Sequence, residues 1–319
     1  MDGTPAGGTA RVEPRQFQVH VDLSCSDDAA FGDAVDWWLT KSLDIVSTAW
    51  GRPVVDAREA WFSFAFLLDR GTEHEARGHA EVLSALKASL NQSLGDLSFS
   101  LEMEASSEAP VVVTLTAGGY EGEPELTDLD ITFHPTRYCT PTIADELEDQ
   151  LEQLLLQLPA NQDITFVNVT DDNQRPGSTA LDLAMKRGQY PARQSSRTVL
   201  RSYSWMLYLH QDMLARLGGV KELRQTNAFW RVTPTSQGAV LRATAHLADY
   251  QGARVRAVRD ALQPVLPIGP ARNPTLRTRH LRIAWDEGHD GPFDHPPTRD
   301  EIERRRDSGT AWVPPSDER

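Results

Sequence analysis

Residues 199–246 read VLRSYSWMLYLHQDMLARLGGVKELRQTNAFWRVTPTSQGAVLRATAH, and this stretch decides the fold. Residues 199–209 are rich in β-branched, aromatic and long apolar side chains, and Tyr203, Trp205, Leu207 and Leu209 share one face at the two-residue period of a strand. From Gln211 the spacing changes: Met213, Leu214 and Leu217 mark a short helix that Gly218 can end in a left-handed cap, because glycine has no Cβ to clash there. A second helical turn over 220–223 leads into two strand-like runs, 229–232 and 239–245, joined by a polar loop holding Ser236, Gln237 and Gly238. The order is strand, helix, hairpin.

The run SWMLYLHQDMLARLGGVKELR (204–224), followed by that hairpin and by the helix ARVRAVRDALQPVLP (253–267), resembles the C-terminal part of bacterial immunity proteins of the type VI secretion kind. Trp205, Leu214, Leu217, Gly218, Gly219, Leu223 and Arg224 carry the resemblance. These are packing residues, so the resemblance implies a fold and, through the family, a toxin-neutralising role, while saying little about chemistry.

The chain has 319 residues, enough for one large domain or two ordinary ones. A hydrophobic content of 39%, a charged content of 24% and the absence of any long apolar run describe a soluble protein with no membrane partner. Residues 1–14 are small and polar without a signal-peptide core, so the expected location is cytoplasmic. Two cysteines, Cys25 and Cys139, are too few for a disulfide scaffold and read as packing thiols. The net charge of −14 is uneven: residues 121–160 hold ten acidic groups against Arg137 alone, and residues 250–282 hold seven arginines against Asp260 alone. An acidic total argues against nucleic acid, whose phosphates are bound by clustered Lys and Arg. Arg254, Arg256 and Arg259 decorate the outside of a helix whose Val255, Val258, Leu262 and Val265 face inward.

Working outward to the N-terminus, residues 15–25 alternate as a half-buried strand, with Phe17, Val19, Val21 and Leu23 on one face and His20 and Asp22 on the other. Ser26 or Asp27 can cap the helix that follows, whose apolar stripe is Phe31, Val35, Trp38, Leu39, Ile45, Val46 and Ala49. Trp37 belongs at the core edge or serves as an exposed contact. Residues 60–69 form a second strand, residues 73–94 a helix, and residues 97–103 with 111–115 a hairpin. His74 and His79 stand about 140° apart on such a helix and make no joint metal site. Residues 118–127 are an acidic, glycine-containing turn region and mark a boundary between an N-terminal half, 15–118, and a C-terminal half, 128–284.

In the second half, Leu129, Ile131 and Phe133 form one face of a strand, and Asp128, Asp130, Thr132 and His134 the other. The second face reads as the wet side of the strand, although Asp128, Asp130 and His134 also compose a hard-oxygen and imidazole set that suits a divalent cation. Cys139 near His134 lacks a third orienting group. Thr140 and Pro141 start a helix with Ile143, Leu147, Leu151, Leu154, Leu155 and Leu158 inward and Asp145, Glu148, Asp149 and Glu152 on a solvated face. A short strand, 164–169, a polar loop, a brief helix over 180–186 and a basic connector, 187–197, return to the opening stretch. The strand and helix order of the halves is similar in outline, which leaves an internal duplication open. Residues 285–319, proline-rich and charged, read as an extended tail in which DEGHDGPFDH (286–295) is at most a weak metal binder.

The expected fold is therefore α+β, with mixed or antiparallel sheets flanked by helices in two α/β-like halves. Three functions compete. One is a non-enzymatic immunity or inhibitor protein that binds a basic toxin through Asp128, Asp130, Asp145, Glu148, Asp149 and Glu152, with no cofactor and no resident metal. Another is an enzyme with a metal-assisted site around Asp128, Asp130 and His134. The third is a scaffold that works through its tail.

Overall fold

The computed structural model describes residues 17–50, 61–65, 73–76, 84, 99–104, 112–120, 123–134, 141–160, 162–171 and 177–267. Strand β1 is Phe17–Ser24, followed by helix α1, Asp28–Trp50; strands β2 to β6 are Trp61–Ala65, Glu73–Ala76, Phe99–Glu104, Val112–Tyr120 and Glu123–His134. Helix α2, Pro141–Leu156, leads to β7, Asp163–Thr170, and to two short helices, α3 at Ala180–Ala184 and α4 at Gln189–Gln194. Strand β8, Met206–His210, precedes α5, Gln211–Arg216, and α6, Gly219–Gln225; the hairpin β9, Arg231–Pro234, and β10, Gly238–Arg242, is followed by α7, Ala253–Leu262.

Among the described residues these strands form one ten-stranded sheet in the order β3-β2-β4-β5-β6-β1-β7-β8-β10-β9. Every pairing is antiparallel. The class is α+β, and the sheet is of the antiparallel kind. The expected turn at 118–127 lies in the hairpin of β5 and β6, whose ladder continues to Tyr120 and Glu123. Strand β1 is central: it pairs with β6 on one side and β7 on the other. Its faces are covered by α1 and α2 on one side and by the segment carrying Arg193 and Arg201 on the other, and the half-buried strand expected at 15–25 is corrected. Residues 73–76 also differ from expectation. They are strand β3, paired with β2, where helical spacing predicts the start of a helix; the open edge of β2 captures them in a hairpin. His79 lies outside the described residues.

The odd-numbered residues of β1, Phe17, Val19, Val21 and Leu23, join Leu129 and Ile131 of β6 and Val167 and Val169 of β7 in a core that includes Phe31, Val35 and Trp38 of α1 and Leu147, Leu151, Leu154 and Leu155 of α2. Asp27 caps α1, its Oδ1 accepting from the Ala30 N–H at 2.9 Å. Trp37 sits at the core rim against Trp38, ring centroids 6.1 Å apart. The side chains of Leu39, Val46, Ala49 and Ile143 lie outside the described residues, as do Cys139 and residues 1–14 and 285–319. Cys25 is a buried free thiol, and burial raises its pKa to about 11, which suits the packing role.

The opening stretch folds largely as its spacing dictates. The strand proper begins at Met206, with Tyr203 and Trp205 buried in the lead-in and the Trp205 carbonyl accepting from Ala243 N–H at 2.8 Å. Gly218 ends the first helix with φ +80°. Gly238 is required for a different reason: a Cβ there would meet the Leu209 carbonyl oxygen at 1.9 Å, so only glycine lets β10 approach β8. The expected basic connector, 187–197, contains α4, and α7 buries Val255, Val258 and Leu262 as its spacing predicts. Among the described residues no helix is long and apolar enough to cross a membrane.

Candidate functional site

Two clusters of charged side chains flank the core. The first lies on the even-numbered face of β1. The register sets His20 opposite Asp130 of β6 and Asn168 of β7, and Asp22 opposite Asp128. His20 Nδ1 is 2.7 Å from Asp130 Oδ1, and His20 Nε2 is 2.9 Å from Asp22 Oδ1. The segment that includes α3 and α4 closes over this face and brings three arginines. Arg201 donates to Asp22, to Asp182 at 2.9 Å and to the Gly177 carbonyl at 2.8 Å. Arg193 reaches Asp128 at 2.9 Å and Asp22 at 3.3 Å, and Arg187 reaches Asp182 at 3.0 Å. The Arg201 guanidinium also stacks over Phe166, 5.4 Å from its centroid.

Burial alone disfavours a charged imidazole, yet the carboxylates of Asp130 and Asp22 outweigh it and raise the His20 pKa to about 9. For Asp22 burial works upward, and Arg201 with the His20 imidazolium overcomes it, holding the carboxyl well below its ordinary range. Asp128 is raised to about 6 because burial exceeds the pull of Arg193, and burial likewise raises Asp182 despite Arg201. With His20 protonated, four aspartates face three arginines and one imidazolium, so the buried layer is charge-balanced.

The expected wet face of β6 is thus corrected: Asp130 is buried and Asp128 largely so, because the segment carrying Arg193 and Arg201 folds over them. Both carboxylates are bound in ion pairs, and the side chain of His134, the third residue of the expected metal set, lies outside the described residues. What the cluster does chemically is hold a loop-and-helix layer against the central strands.

A pH dependence follows. His20 has a folded pKa of about 9, above its ordinary value of 6.5, so its stabilising contribution is complete below pH 6.5 and lost as pH rises through about 9. Urea unfolding at pH 6.5 and pH 9.5 is expected to give lower stability at the higher pH, with the drop much reduced in His20→Gln. An equal drop in that variant would place the titrating group elsewhere.

The second cluster surrounds α2. Asp145, Glu148, Asp149 and Glu152 share one helix face by their spacing. The expectation that this whole face is solvated is corrected, since Glu148 and Glu152 are buried. The cause is Arg242 of β10, whose Nη1 donates to Asp149 Oδ1 and to Glu152 Oε2, both at 2.7 Å, with Nη2 3.7 Å from Glu148 Oε2. Arg231 adds a bond to Glu152 Oε2 at 3.0 Å. Glu148 Oε1 accepts from Leu247 N–H at 2.9 Å, and its Oε2 lies 3.0 Å from His246 Nδ1.

The same two arginines fix an exposed aromatic. Trp230 is 49% exposed, and its ring lies 4.1 Å from the Arg231 guanidinium carbon and 4.9 Å from that of Arg242. Beneath, Arg242 stacks on buried Trp205 at 5.0 Å. Asp149, its side chain 72% exposed, shares Arg242 with Trp230, so an acidic group and an indole are presented side by side. Sequence reasoning named the acids and missed the bases. Arg201, Arg193, Arg242 and Trp230 carried one usable signal, an arginine in the otherwise apolar strand GAVLR at 238–242, which must find carboxylates if it points inward.

No family model matches the chain, and no curated protein matches it. Among solved structures the fold is similar to that of a Pseudomonas aeruginosa T6SS protein, at 12% identity and a TM-score of 0.51, over 93% of this chain and 87% of that chain; at that identity the likeness is one of fold.

Proposed function

We propose that the protein is a T6SS-associated immunity protein that neutralises a basic toxin by protein–protein binding, with Trp230 and the exposed acids of α2 at the contact. The observation that carries this reading is Trp230. A large aromatic held half-exposed by two cation–π contacts is immobilised before any partner arrives, and tryptophan is among the side chains that most often dominate binding energy. Asp149 beside it, and Asp145 and Glu146 along the same helix, supply the negative field that steers a cationic surface. The T6SS connection of the structural neighbour and the resemblance of residues 204–267 to immunity proteins support the class of partner. Glu148 and Glu152 contribute from below, as buried partners of Arg242 and Arg231, whereas Asp128 and Asp130 belong to the separate His20 cluster and stand outside this contact.

The test is binding to candidate toxins chosen from the proteins encoded beside the gene, and failure of every one to bind would overturn the reading. Trp230→Ala is expected to weaken affinity by about 30-fold, the effect of an interface hot spot. Glu146→Lys with Asp149→Lys is expected to slow association and flatten its salt dependence, with a smaller change in dissociation. Glu152 is left intact because its loss would strand Arg242 and Arg231. Unchanged kinetics in both variants, with folding confirmed, would remove this face from the contact.

A further inference from the structure

We infer that Asp145, Glu148 and His246 form a binding site for a divalent transition-metal ion, with Zn²⁺ the best fit. One ligand atom from each of the three residues lies within 4.8 Å of the others. His246 Nδ1 faces both carboxylates, 3.1 Å from Asp145 Oδ1 and 3.0 Å from Glu148 Oε2. Zn²⁺ bonds of about 2.0–2.2 Å place neighbouring ligand atoms roughly 3.0–3.5 Å apart, so one ion can span imidazole and carboxylates with small side-chain adjustments.

The fold fixes these groups from two directions. Asp145 and Glu148 stand one turn apart on α2, and His246 follows β10 at the N-terminus of the short turn Leu247–Asp249. Glu148 is fully buried and oriented by the Leu247 N–H on its other oxygen, the arrangement that outer partners give to metal-bound carboxylates. Asp145 and His246 are partly exposed, with side chains 45% and 34% accessible, which gives an ion and its remaining water ligand a route in.

Beside the triad, Arg242 binds Asp149 and Glu152 and lies 3.7 Å from Glu148, and Arg231 adds a bond to Glu152. The nitrogen ligand selects the class: Mg²⁺ and Ca²⁺ take oxygen sets, while imidazole with carboxylates suits Zn²⁺ and its transition-metal neighbours.

The experiment uses the full chain, stripped with a chelator, titrated calorimetrically with Zn²⁺, Mn²⁺, Mg²⁺ and Ca²⁺, and melted with and without each ion. One Zn²⁺ per chain is expected, with a saturable rise in melting temperature. His246→Gln and Asp145→Asn are each expected to weaken Zn²⁺ binding at least tenfold while leaving the metal-free fold intact, since both side chains are partly exposed. His289→Gln with His295→Gln separates a tail site and is expected to change nothing. Loss of Zn²⁺ binding in the tail variant instead, retention of full affinity in His246→Gln, or no saturable binding by any ion would each overturn the assignment.

Discussion

Arg201→Met is expected to destabilise the protein by about 3 to 5 kcal/mol, because removing one partner of a buried ion pair leaves the other charge uncompensated. Arg201 is fully buried, and among the described residues it links Asp22 on the central strand to Asp182 on α3 while also donating to the Gly177 carbonyl. Methionine fills a similar volume, so the loss reports charge and hydrogen bonding more than packing. Without the guanidinium, Asp22 retains His20 and Arg193, but Asp182 retains Arg187 alone among its ion pairs. Urea unfolding measures the effect, and a double-mutant cycle with Asp22→Asn assigns it: Asp22→Asn is expected to cost clearly less in the Arg201→Met background than in the natural chain. A loss below about 1 kcal/mol would mean that the network contributes no more than a surface pair does.

The sequence is most legible where one period decides the element. Residues 199–246 alternate, then take a helical spacing, then alternate again, and the strand, the helix pair capped at Gly218 and the hairpin all follow. The stripe on α2 and the inward residues of α7 are equally direct, for the reason that an amphipathic helix states its buried side in its own spacing. Residues 73–76 fail because four residues of polar and small character carry no decisive period, and pairing with β2 settles the matter from outside the segment.

The charged clusters were legible in kind and wrong in burial. Asp22, His20, Asp128 and Asp130 alternate with apolar neighbours as solvent-facing residues do, and nothing local announces that Arg193, 65 residues beyond Asp128, and Arg201, 179 residues beyond Asp22, will cover them. A strand with polar residues on one face is buried on both only when another part of the chain brings the opposite charges. The same holds on α2, where Arg242 arrives from a strand ninety residues beyond Glu152. In each cluster the arginines come from the part of the chain that folds over the acids, so the layered arrangement and the charge pairing specify one another. That mutual requirement is a source of a single register: a one-residue slip of β1 would turn His20 and Asp22 into the apolar core and take the Asp22 carboxylate away from buried Arg193 and Arg201.

The last expected result concerns the junction of the core and the exposed tryptophan. Trp205 is 1% exposed, its indole N–H donates to the Thr244 carbonyl at 3.0 Å, and its ring supports the Arg242 guanidinium at 5.0 Å. Trp205→Ala removes the buried ring and opens a cavity, at a cost of about 3 to 5 kcal/mol. Trp205→Phe keeps an aromatic face under Arg242 and loses the N–H, and is expected to cost less, with about 1 kcal/mol coming from the lost hydrogen bond. Arg242 connects this core position to the surface, since the same guanidinium lies under Trp230 and binds Asp149. Trp205→Phe is therefore expected to leave affinity for the proposed toxin partner within about threefold of the natural chain, whereas Trp230→Ala, which leaves the core alone, is expected to weaken it by about 30-fold. Thermal melts and binding kinetics on the three variants separate the two roles. Natural stability in Trp205→Ala would mean that the packing around the lead-in to β8 does not anchor this end of the sheet, and equal binding losses in Trp205→Phe and Trp230→Ala would mean that the two tryptophans act on the partner as one unit through Arg242.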